Sequence, residues 1–341
     1  MNMKIIIDAM GGDNAPKAIV QGAINAVKEL GVEVALVGKT EQVEACLTEL
    51  NAQGDSRISI VDARETVEMH DDPTGVFRSK KDSSMSVSLN LLKNNQGDAC
   101  ISAGSTGALL TGATLIVKRV KGIRRAAMAP VLPNGGKGVM LIDCGANVEC
   151  TAEYLLQFAF MGSFYSKTIL GCDNPRVGLL NVGTEETKGT SLQKDAFVIL
   201  KDASDKGHIN FIGNVEASSV FFDSVDVVVT DGFSGNVMLK SIEGSGKFVM
   251  KQVKNILTYN RRSKIAALFL KERFTELKKV MDPSEVGGTA MLGISKLVIK
   301  AHGSSDAPAI FNACRQALKY QSANIAAKIE ENIDLMTVAK E

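Results

Sequence analysis

The sequence predicts an α/β protein with a mostly parallel β-sheet covered by helices on both faces. Several stretches of mostly apolar, β-branched residues each end in a Gly-rich or polar turn. Amphipathic stretches of helical length lie between them, for example residues 16–30 and 153–166. Strand and helix patterns that alternate in this way are typical of parallel sheets joined by crossover helices. A chain of 341 residues can bury a large core, and we expect one catalytic domain over residues 1–341.

The predicted strands share a polar or glycine-rich turn at the carboxyl end. In chain order their sequences are KIIIDAMGGD, VEVALVGKT, DACISAGSTGA, GVMLIDCGAN, RVGLLNVGTEE, VDVVVTDGFSGN and KLVIKAHGSS. The carboxyl ends of parallel strands meet at one edge of the sheet, where α/β proteins bind ligands. We therefore expect ligand-binding residues in these turns. The alternative is that their Gly, Asp and Asn residues only form turns and helix caps.

The first of these turns, DAMGGDNAP, follows three isoleucines but lacks the G-x-G-x-x-G spacing of a dinucleotide-binding loop. Gly11 and Gly12 are expected to let the turn pass close to a ligand or a neighbouring loop. Asp13 and Asn14 are expected to cap a helix that begins at Pro16. The spacing therefore argues against a nicotinamide-dependent dehydrogenase.

Residues 99–117 carry no charge, which raises the question of a membrane span. The first half of this stretch is rich in Gly, Ser and Thr, unlike a spanning helix. We predict a strand, a tight turn and a buried helix here.

Charge and cysteine content describe the protein as a whole. The 39 Lys and Arg residues nearly balance the 38 Asp and Glu residues, so no overall field would draw the protein to nucleic acid. The six cysteines contain no C-x-x-C pair, which is typical of free thiols in a reducing compartment. The apolar run near the N-terminus is too short for a signal-peptide core. We expect a cytoplasmic protein without a nucleic-acid partner.

Residues 237–281 differ in character and are predicted to form a protruding helical hairpin. Apolar residues recur there at helical spacing, and residues 251–281 carry nine Lys or Arg and two acids, a net charge of +7. The hairpin could be a solvated or dimer-forming element, or it could dock an acidic protein or an anionic bilayer. The candidate docking residues are Arg261, Arg262, Lys264, Leu268, Phe269, Lys271 and Arg273.

The sequence predicts neither a metal site nor a covalent nucleophile. The three histidines have no metal-binding spacing, there is no G-x-S-x-G elbow, and EGSGKF lacks the first glycine and the hydroxyl residue of an ATP-binding loop. What remains is SAGSTGAL, residues 102–109, which offers hydroxyls and backbone amides where a strand enters a helix. Lys188 in a later turn adds a positive charge. A phosphate or phosphoryl group is the predicted ligand, with no cofactor.

These stretches, in this order, resemble the phosphate acyltransferase family of bacterial phospholipid synthesis. The resemblance spans nearly the whole chain, although Ser105 stands where the family commonly has Asn. The matching sequences are DAMGGDNAP, HDDPTGVFR with SKKDSSM, GDACISAGSTGA, LIDCGAN, LLQFAFMG, VGLLNVGTEETKG, FIGNVE, DVVVTDGFSGNVMLK and AHGSS.

The resemblance implies a Rossmann-like three-layer α/β/α fold related to phosphotransacetylases and to isocitrate and isopropylmalate dehydrogenases, usually dimeric. It also implies transfer of a long-chain fatty acyl group from acyl carrier protein to inorganic phosphate. The product, an acyl phosphate, would pass to a membrane-bound glycerol-3-phosphate acyltransferase. The hairpin would then dock the acidic carrier protein or the inner face of the cell membrane, which gives a peripheral membrane protein and a homodimer.

Such a reaction demands neither a strong base nor a strong acid. Inorganic phosphate is already anionic, and the departing thiol has a pKa of roughly 8.5. Positioning and oriented donors would provide most of the rate. We assign phosphate binding to residues 102–107 with Lys188, and a hydrogen bond to the phosphate or a structural role to His302.

The remaining assignments are oxyanion and loop-organising roles. Asn147, Asn181 and Asn236 are candidates for stabilising the oxyanion or positioning the substrate. The other residues assigned to the substrate site are Asp8, Gly11, Gly12, Asp13, Ser102, Gly104, Ser105, Thr106, Gly107, Asp143, Glu185 and Asp231. Two alternatives stay open, a phosphotransacetylase acting on acyl-coenzyme A and a non-catalytic, membrane-recruited scaffold of the same fold.

Overall fold

Helices and strands alternate along most of the chain in a computed structural model that describes residues 2–222, 224–274 and 287–337. The strands are β1 Lys4–Asp8, β2 Glu33–Gly38, β3 Ile58–Asp62, β4 Ala99–Ser102, β5 Ala127–Met128, β6 Val131–Leu132, β7 Val139–Ile142, β8 Arg176–Leu180, β9 Asn210–Val215, β10 Val227–Val229, β11 Thr289–Leu292 and β12 Leu297–Lys300. The α-helices are α1 Lys17–Leu30, α2 Thr40–Glu49, α3 Val76–Ser79, α4 Ser84–Lys93, α5 Thr106–Gly112, α6 Ala152–Thr168, α7 Ser191–Asp205, α8 Gly232–Thr258, α9 Arg261–Phe269, α10 Ala307–Ala323 and α11 Ile325–Glu331.

The described strands form two sheets. The first has seven strands in the order β3-β2-β1-β4-β12-β11-β5, and the second has five in the order β6-β7-β10-β8-β9. Within each sheet the central strands pair in parallel, and antiparallel pairs occur only toward one end. The predicted α/β class with mostly parallel pairing is confirmed. The division into two sheets depends on which strands pair, and strand patterns do not specify that.

The chain passes from one sheet to the other over a few residues. Strand β5 pairs with β11 in the first sheet, and β6, which follows two residues later, pairs with β7 in the second. The amide of Cys144, just after β7, donates to the carbonyl of Met128 in β5 at 3.0 Å. The two sheets are therefore joined by backbone hydrogen bonds as well as by the chain.

Helix α6 packs at the centre of the largest hydrophobic cluster. Its fully buried side chains include Phe158, Phe160 and Tyr165. The same cluster contains strand residues of the second sheet and also Ala290 and Leu292 of β11 in the first. A buried aromatic or aliphatic side chain stabilises the fold by about 1.5–3 kcal/mol. This shared core holds the two sheets together.

The uncharged stretch of residues 99–117 folds as predicted. It forms β4, the helix α5 and a π-helical turn over Ala113–Val117, and β4 is completely buried. No helix in the described part of the chain combines the length and apolar character needed to cross a membrane.

The predicted hairpin contains two consecutive helices, α8 and α9. Helix α8 begins at Gly232, before the predicted start at residue 237, and its first turns pack on the second sheet. Residues 275–281 of the predicted segment lie outside the described residues. The six cysteines are free thiols.

Candidate functional site

Three neighbouring strands of the first sheet end in a row of polar residues. Strands β1, β4 and β12 lie side by side, and their last residues are Asp8, Ser102 and Lys300. Ser102 is directly opposite Lys300 in the register of β4 and β12. All three residues are buried. The sheet thus places a carboxyl, a hydroxyl and an amino group next to each other at its carboxyl edge.

The Asp8 carboxyl group organises the turns around it. It accepts a hydrogen bond from Ser102 Oγ at 2.6 Å and one from the Met10 amide at 3.3 Å. Ser102 Oγ in turn accepts from the Gly104 amide at 3.1 Å. Burial raises the pKa of Asp8, and the hydrogen bonds from Ser102 and other donors oppose this shift. Asp8 therefore links the turns after β1 and β4.

Gly11 and Gly12 let the first turn approach its neighbours closely. A Cβ on Gly11 would lie 2.7 Å from the Gly104 amide nitrogen and from the Asp8 carboxylate. Gly12 has φ of 103° and lies against Ala103, and a Cβ there would come within 3.0 Å of the Gly303 carbonyl oxygen. The close approach is to neighbouring loops, one of the two possibilities raised by the sequence.

The prediction that Asp13 and Asn14 cap the helix after the first turn is wrong. The residue before α1 is Pro16, and no side chain caps the helix. The Asn14 side-chain amide instead donates to the carbonyl oxygens of Ser304 and Ser305, and the Asp13 amide donates to Gly303 O at 2.8 Å. Both residues therefore fasten the turn after β1 to the turn after β12. These long-range contacts cannot be read from local sequence.

The predicted phosphate loop lies directly beside this row. Ser105 is buried and caps α5, accepting from the Ala108 amide at 3.5 Å. Thr106 is partly exposed and Gly107 is exposed at the start of the helix. Residues 102–105 are buried, so only Thr106 and Gly107 of the loop are accessible to solvent, and the Ser105 hydroxyl is used inside the protein.

Lys300 was not among the predicted site residues. Its ammonium group donates to the carbonyl oxygens of Ala103, at 3.3 Å, and Ala301. Burial lowers the pKa of Lys300 to about 8, and Asp8 and Asp13 oppose the shift. The one hint in the sequence is a lysine that directly follows the apolar run of a strand.

His302 lies at the exposed rim of the same cluster. Its Nδ1 accepts from the Ser304 amide at 3.2 Å and lies 2.9 Å from Ser304 Oγ. The neutral imidazole therefore carries its proton on Nε2. Burial, and next the charge of Lys240, lowers the pKa of His302, so the ring is a neutral hydrogen-bond donor at pH 7.

A second cluster lies at the carboxyl edge of the second sheet, where β7 ends before Asp143. The Asp143 carboxyl group accepts from the amides of Met128, Cys144 and Asn147 at 2.7–2.8 Å. The Asn147 side chain donates to Asp143 at 3.0 Å and to Ala126 O at 2.8 Å. Burial raises the pKa of Asp143 despite these hydrogen bonds.

The turn after β10 completes the second cluster. Asp231 caps α8 by accepting from the Ser234 amide at 2.8 Å. Gly232 packs so closely that a Cβ would lie 2.7 Å from the Asp143 carboxylate and 2.6 Å from Asn147 O. The Asn236 side chain lies beside Gly145 and is exposed. Asp143, Asn147, Asp231 and Asn236 are therefore brought together.

The turn after β8 carries the remaining predicted residues. The Asn181 side chain donates to Lys188 O at 3.1 Å and accepts from the Val182 amide at 2.8 Å, so it shapes this turn. Glu185 and Lys188 are exposed, and the Glu185 carbonyl accepts from Asn214. No hydrogen bond or ion pair among the described residues joins Lys188 to residues 102–107.

Lys240 of α8 acts electrostatically on groups of both clusters. Its charge lowers the pKa of Lys300 and of His302 in the first sheet. It also acts on Cys144 in the second sheet, where burial is the main cause of a raised pKa. Lys240 pairs with Glu243 at 2.8 Å. Electrostatic effects between exposed charges are short-ranged in water, so Lys240 lies within electrostatic range of both strand edges.

The candidate docking residues lie on the surface of α9 and just beyond it. Leu268 and Phe269 are 72% and 86% exposed, and Arg261, Arg262 and Lys264 are also exposed. Lys271 and Arg273 are exposed and each has an interaction partner. The surface of α9 therefore carries exposed basic and exposed apolar side chains next to each other.

Comparison with known proteins identifies the family of this chain. The model of a family described as "Fatty acid synthesis protein" matches residues 3–328. The phosphate acyltransferase of Bacillus licheniformis is 47% identical over 333 residues, which cover 97% of this chain and 98% of that protein. The phosphate acyltransferase of Bacillus subtilis has the same identity and coverage. The chain belongs to the phosphate acyltransferase family. It is a transferase.

A solved structure related to this phosphate acyltransferase confirms the fold. A phosphotransacetylase from Streptococcus pyogenes superposes with a TM-score of 0.61, covering 96% of this chain and 94% of that one at 19% identity. The three-layer α/β/α, Rossmann-like architecture expected from the sequence is therefore correct. At this identity the similarity concerns the fold and leaves the substrate open.

Proposed function

We propose that this phosphate acyltransferase moves a long-chain fatty acyl group from the thioester of acyl carrier protein to inorganic phosphate. A phosphate oxygen attacks the carbonyl carbon, the carbon–oxygen bond forms, and the carbon–sulfur bond breaks. The products are an acyl phosphate and the carrier thiol, which takes up a proton. The acyl phosphate would serve a membrane-bound glycerol-3-phosphate acyltransferase in phospholipid synthesis.

We infer that the two strand edges, both within electrostatic range of Lys240 on α8, face a common cleft, and this arrangement supports the reaction best. One wall is the row of Asp8, Ser102 and Lys300 with the adjoining phosphate loop. The other wall is the Asp143 cluster with its glycine-rich turns. The cleft contains hydrogen-bond donors and positive charge, and a reaction between an anion and a thioester needs these to hold the reactants and stabilise negative charge.

The structure suggests how the three candidate asparagines divide their roles. The side chains of Asn147 and Asn181 already make hydrogen bonds within their own turns. Asn236 is exposed beside Gly145 and has no hydrogen-bond partner among the described residues. We assign the tetrahedral oxyanion to Asn236 and to the Nε2–H group of His302, and loop positioning to Asn147 and Asn181.

We further propose that the distal part of α8 and α9 forms the docking surface for acidic acyl carrier protein and for the anionic inner face of the cell membrane. Basic residues such as Arg261 and Lys264 would provide attraction to either partner, and Leu268 and Phe269 would insert among the lipids. A cytoplasmic protein would thereby bind the membrane peripherally. The same helices offer an apolar surface for pairing in a homodimer.

The reaction is tested by measuring thiol release from palmitoyl acyl carrier protein with and without inorganic phosphate, with the product identified by mass. Phosphate-dependent release with formation of palmitoyl phosphate is expected. Equal activity with acetyl-coenzyme A would identify a phosphotransacetylase instead. Binding to liposomes without any thiol release would favour the scaffold alternative.

A further inference from the structure

Lys300 has an uncommon environment for a lysine. It is the last residue of β12, only 7% of its surface is exposed, and its neighbour Ser102 on β4 is buried as well. Its ammonium group is held by two backbone carbonyl oxygens, one from the turn after β4 and one from its own turn. An ammonium group has three hydrogens, so these contacts leave one for a ligand.

The ammonium group also lacks a direct counter-ion. It forms no ion pair with any carboxylate of the described residues, whereas buried charges in proteins are normally paired. The titratable groups that interact with it electrostatically are Asp8 on β1, Asp13 in the turn after β1, Lys240 on α8 and His302 in its own turn. A desolvated cation at the carboxyl edge of a sheet favours an anionic ligand.

The position of Lys300 beside the predicted phosphate loop indicates that this anionic ligand is phosphate. Its contact to Ala103 lies inside residues 102–107, and Ser102 is its partner in the strand register. Lys188, the lysine expected to bind phosphate, lies in the turn after β8 of the second sheet. Lys300 therefore contacts the predicted phosphate loop directly, whereas Lys188 makes no hydrogen bond to it among the described residues.

We propose that Lys300 is the residue that binds the phosphate nucleophile, donating its third hydrogen to a phosphate oxygen while its other two hold the loop in place. This inference rests on the proposed function. The same charge could serve the phosphodiester of the carrier's thioester arm, and the experiment separates the two sources of phosphate.

The test measures KM for inorganic phosphate and KM for palmitoyl acyl carrier protein in Lys300→Met and Lys300→Arg. The matched control is Lys296→Met at the opposite end of β12, because Lys296 also donates to backbone carbonyls. In Lys300→Met the KM for phosphate should rise about tenfold or more, with the donor KM nearly unchanged, because a charge-assisted hydrogen bond is lost. Lys300→Arg should recover part of the effect, and Lys296→Met should leave both constants near wild type.

A binding measurement makes the outcome independent of turnover. Phosphate should raise the Tm of the wild type and of Lys296→Met, but not that of Lys300→Met. If phosphate raises the Tm in a Lys300-dependent way but no variant, nor the wild type, shows turnover, the proposed function is wrong and the phosphate site stands. Normal phosphate KM in a folded Lys300→Met, or an equal rise in the donor KM, would overturn the site and keep the function.

If Lys300→Met does not fold, the pH dependence of phosphate binding to the wild-type protein tests the proposal. Because phosphate stabilises the charged amine, the affinity for phosphate should fall as the pH rises through the pKa of about 8. Affinity for the phosphate dianion that stays constant as the pH rises through this value would contradict the assignment.

Discussion

The Asp8 carboxyl group shows how a single residue can fix the geometry of a site at a cost in stability. It is completely buried, and a carboxylate in such surroundings is charged only at a free-energy cost. Its hydrogen bonds from Ser102 and from the turn that follows offset part of this cost. Asp8 thereby holds the turns after β1 and β4 together.

We predict that Asp8→Asn weakens the pH dependence of stability. The pKa of Asp8 is raised in the folded protein, so its contribution is fully present below the unfolded value of 3.8 and is lost as the pH rises through the folded pKa. An asparagine does not titrate and can still accept from Ser102. Urea unfolding at a series of pH values should show a smaller decline in the variant. Some decline in stability with rising pH will remain, because the pKa of Asp143 is raised in the folded protein as well.

The glycines of the first turn give a second prediction at the scale of single residues. Gly11→Ala should destabilise the protein by about 1–3 kcal/mol and reduce turnover, because the new Cβ would press on the Gly104 amide of the phosphate loop. Gly244→Ala on α8 is the matched control, since a Cβ there meets nothing within 4 Å. Denaturant unfolding and turnover together check it, and equal behaviour of the two variants would refute the close approach.

Helix α8 changes its role along its length. Its buried residues, Gly232, Gly235 and Met238, all lie in the first two turns, where the helix packs against the second sheet. Beyond them Phe248, Val249 and Ile256 are exposed, and the helix contacts α9. A helix of 27 residues is about 40 Å long, so one element reaches from the cleft to the proposed docking surface.

We predict that Leu268→Glu weakens co-sedimentation with anionic liposomes about tenfold or more and leaves turnover with soluble substrate within about twofold. The exposed leucine would no longer enter the bilayer, and the glutamate would be repelled by anionic lipid. Val198→Glu on α7 is the control, because Val198 is 66% exposed on a helix whose two lysines are outnumbered by three aspartates. Unchanged liposome binding by Leu268→Glu would argue against membrane docking through α9.

At the scale of the whole molecule, Asp143 connects the two sheets. It follows β7 of the second sheet and accepts from the Met128 amide of β5 in the first. It also accepts from two amides of its own turn. The relative position of the two sheets therefore depends on this carboxyl group as well as on the shared hydrophobic core.

Asp143→Ala should lower the free energy of unfolding by about 3 kcal/mol or more, because three backbone amides would lose their acceptor. Asp62→Ala is the control, since Asp62 is an exposed acid that holds only Thr40 and Arg64 and should cost less than about 1 kcal/mol. Urea denaturation measures both. A loss in Asp143→Ala no larger than that of the control would contradict the connecting role.

The sequence predicts the strand ends well because each depends on local residues. Apolar runs followed by Gly, Asp or Asn locate the turns of Asp8, Ser102 and Asp143. It does not predict which turns adjoin, because the insertion of β12 beside β4 brings together residues about two hundred positions apart. For that reason local sequence does not identify Lys300 as a site residue. It predicts a helix cap at Asn14, whose side chain instead donates to the turn after β12.

The order of strands in the first sheet also bears on how the protein is made. Strands β1 to β5 leave the ribosome early, whereas β11 and β12, which lie between β4 and β5, are synthesised only after the entire second sheet. A nascent chain that stops before residue 287 therefore has an unpaired β4 edge and no Lys300. The final step of translation therefore completes both the sheet and the proposed phosphate site.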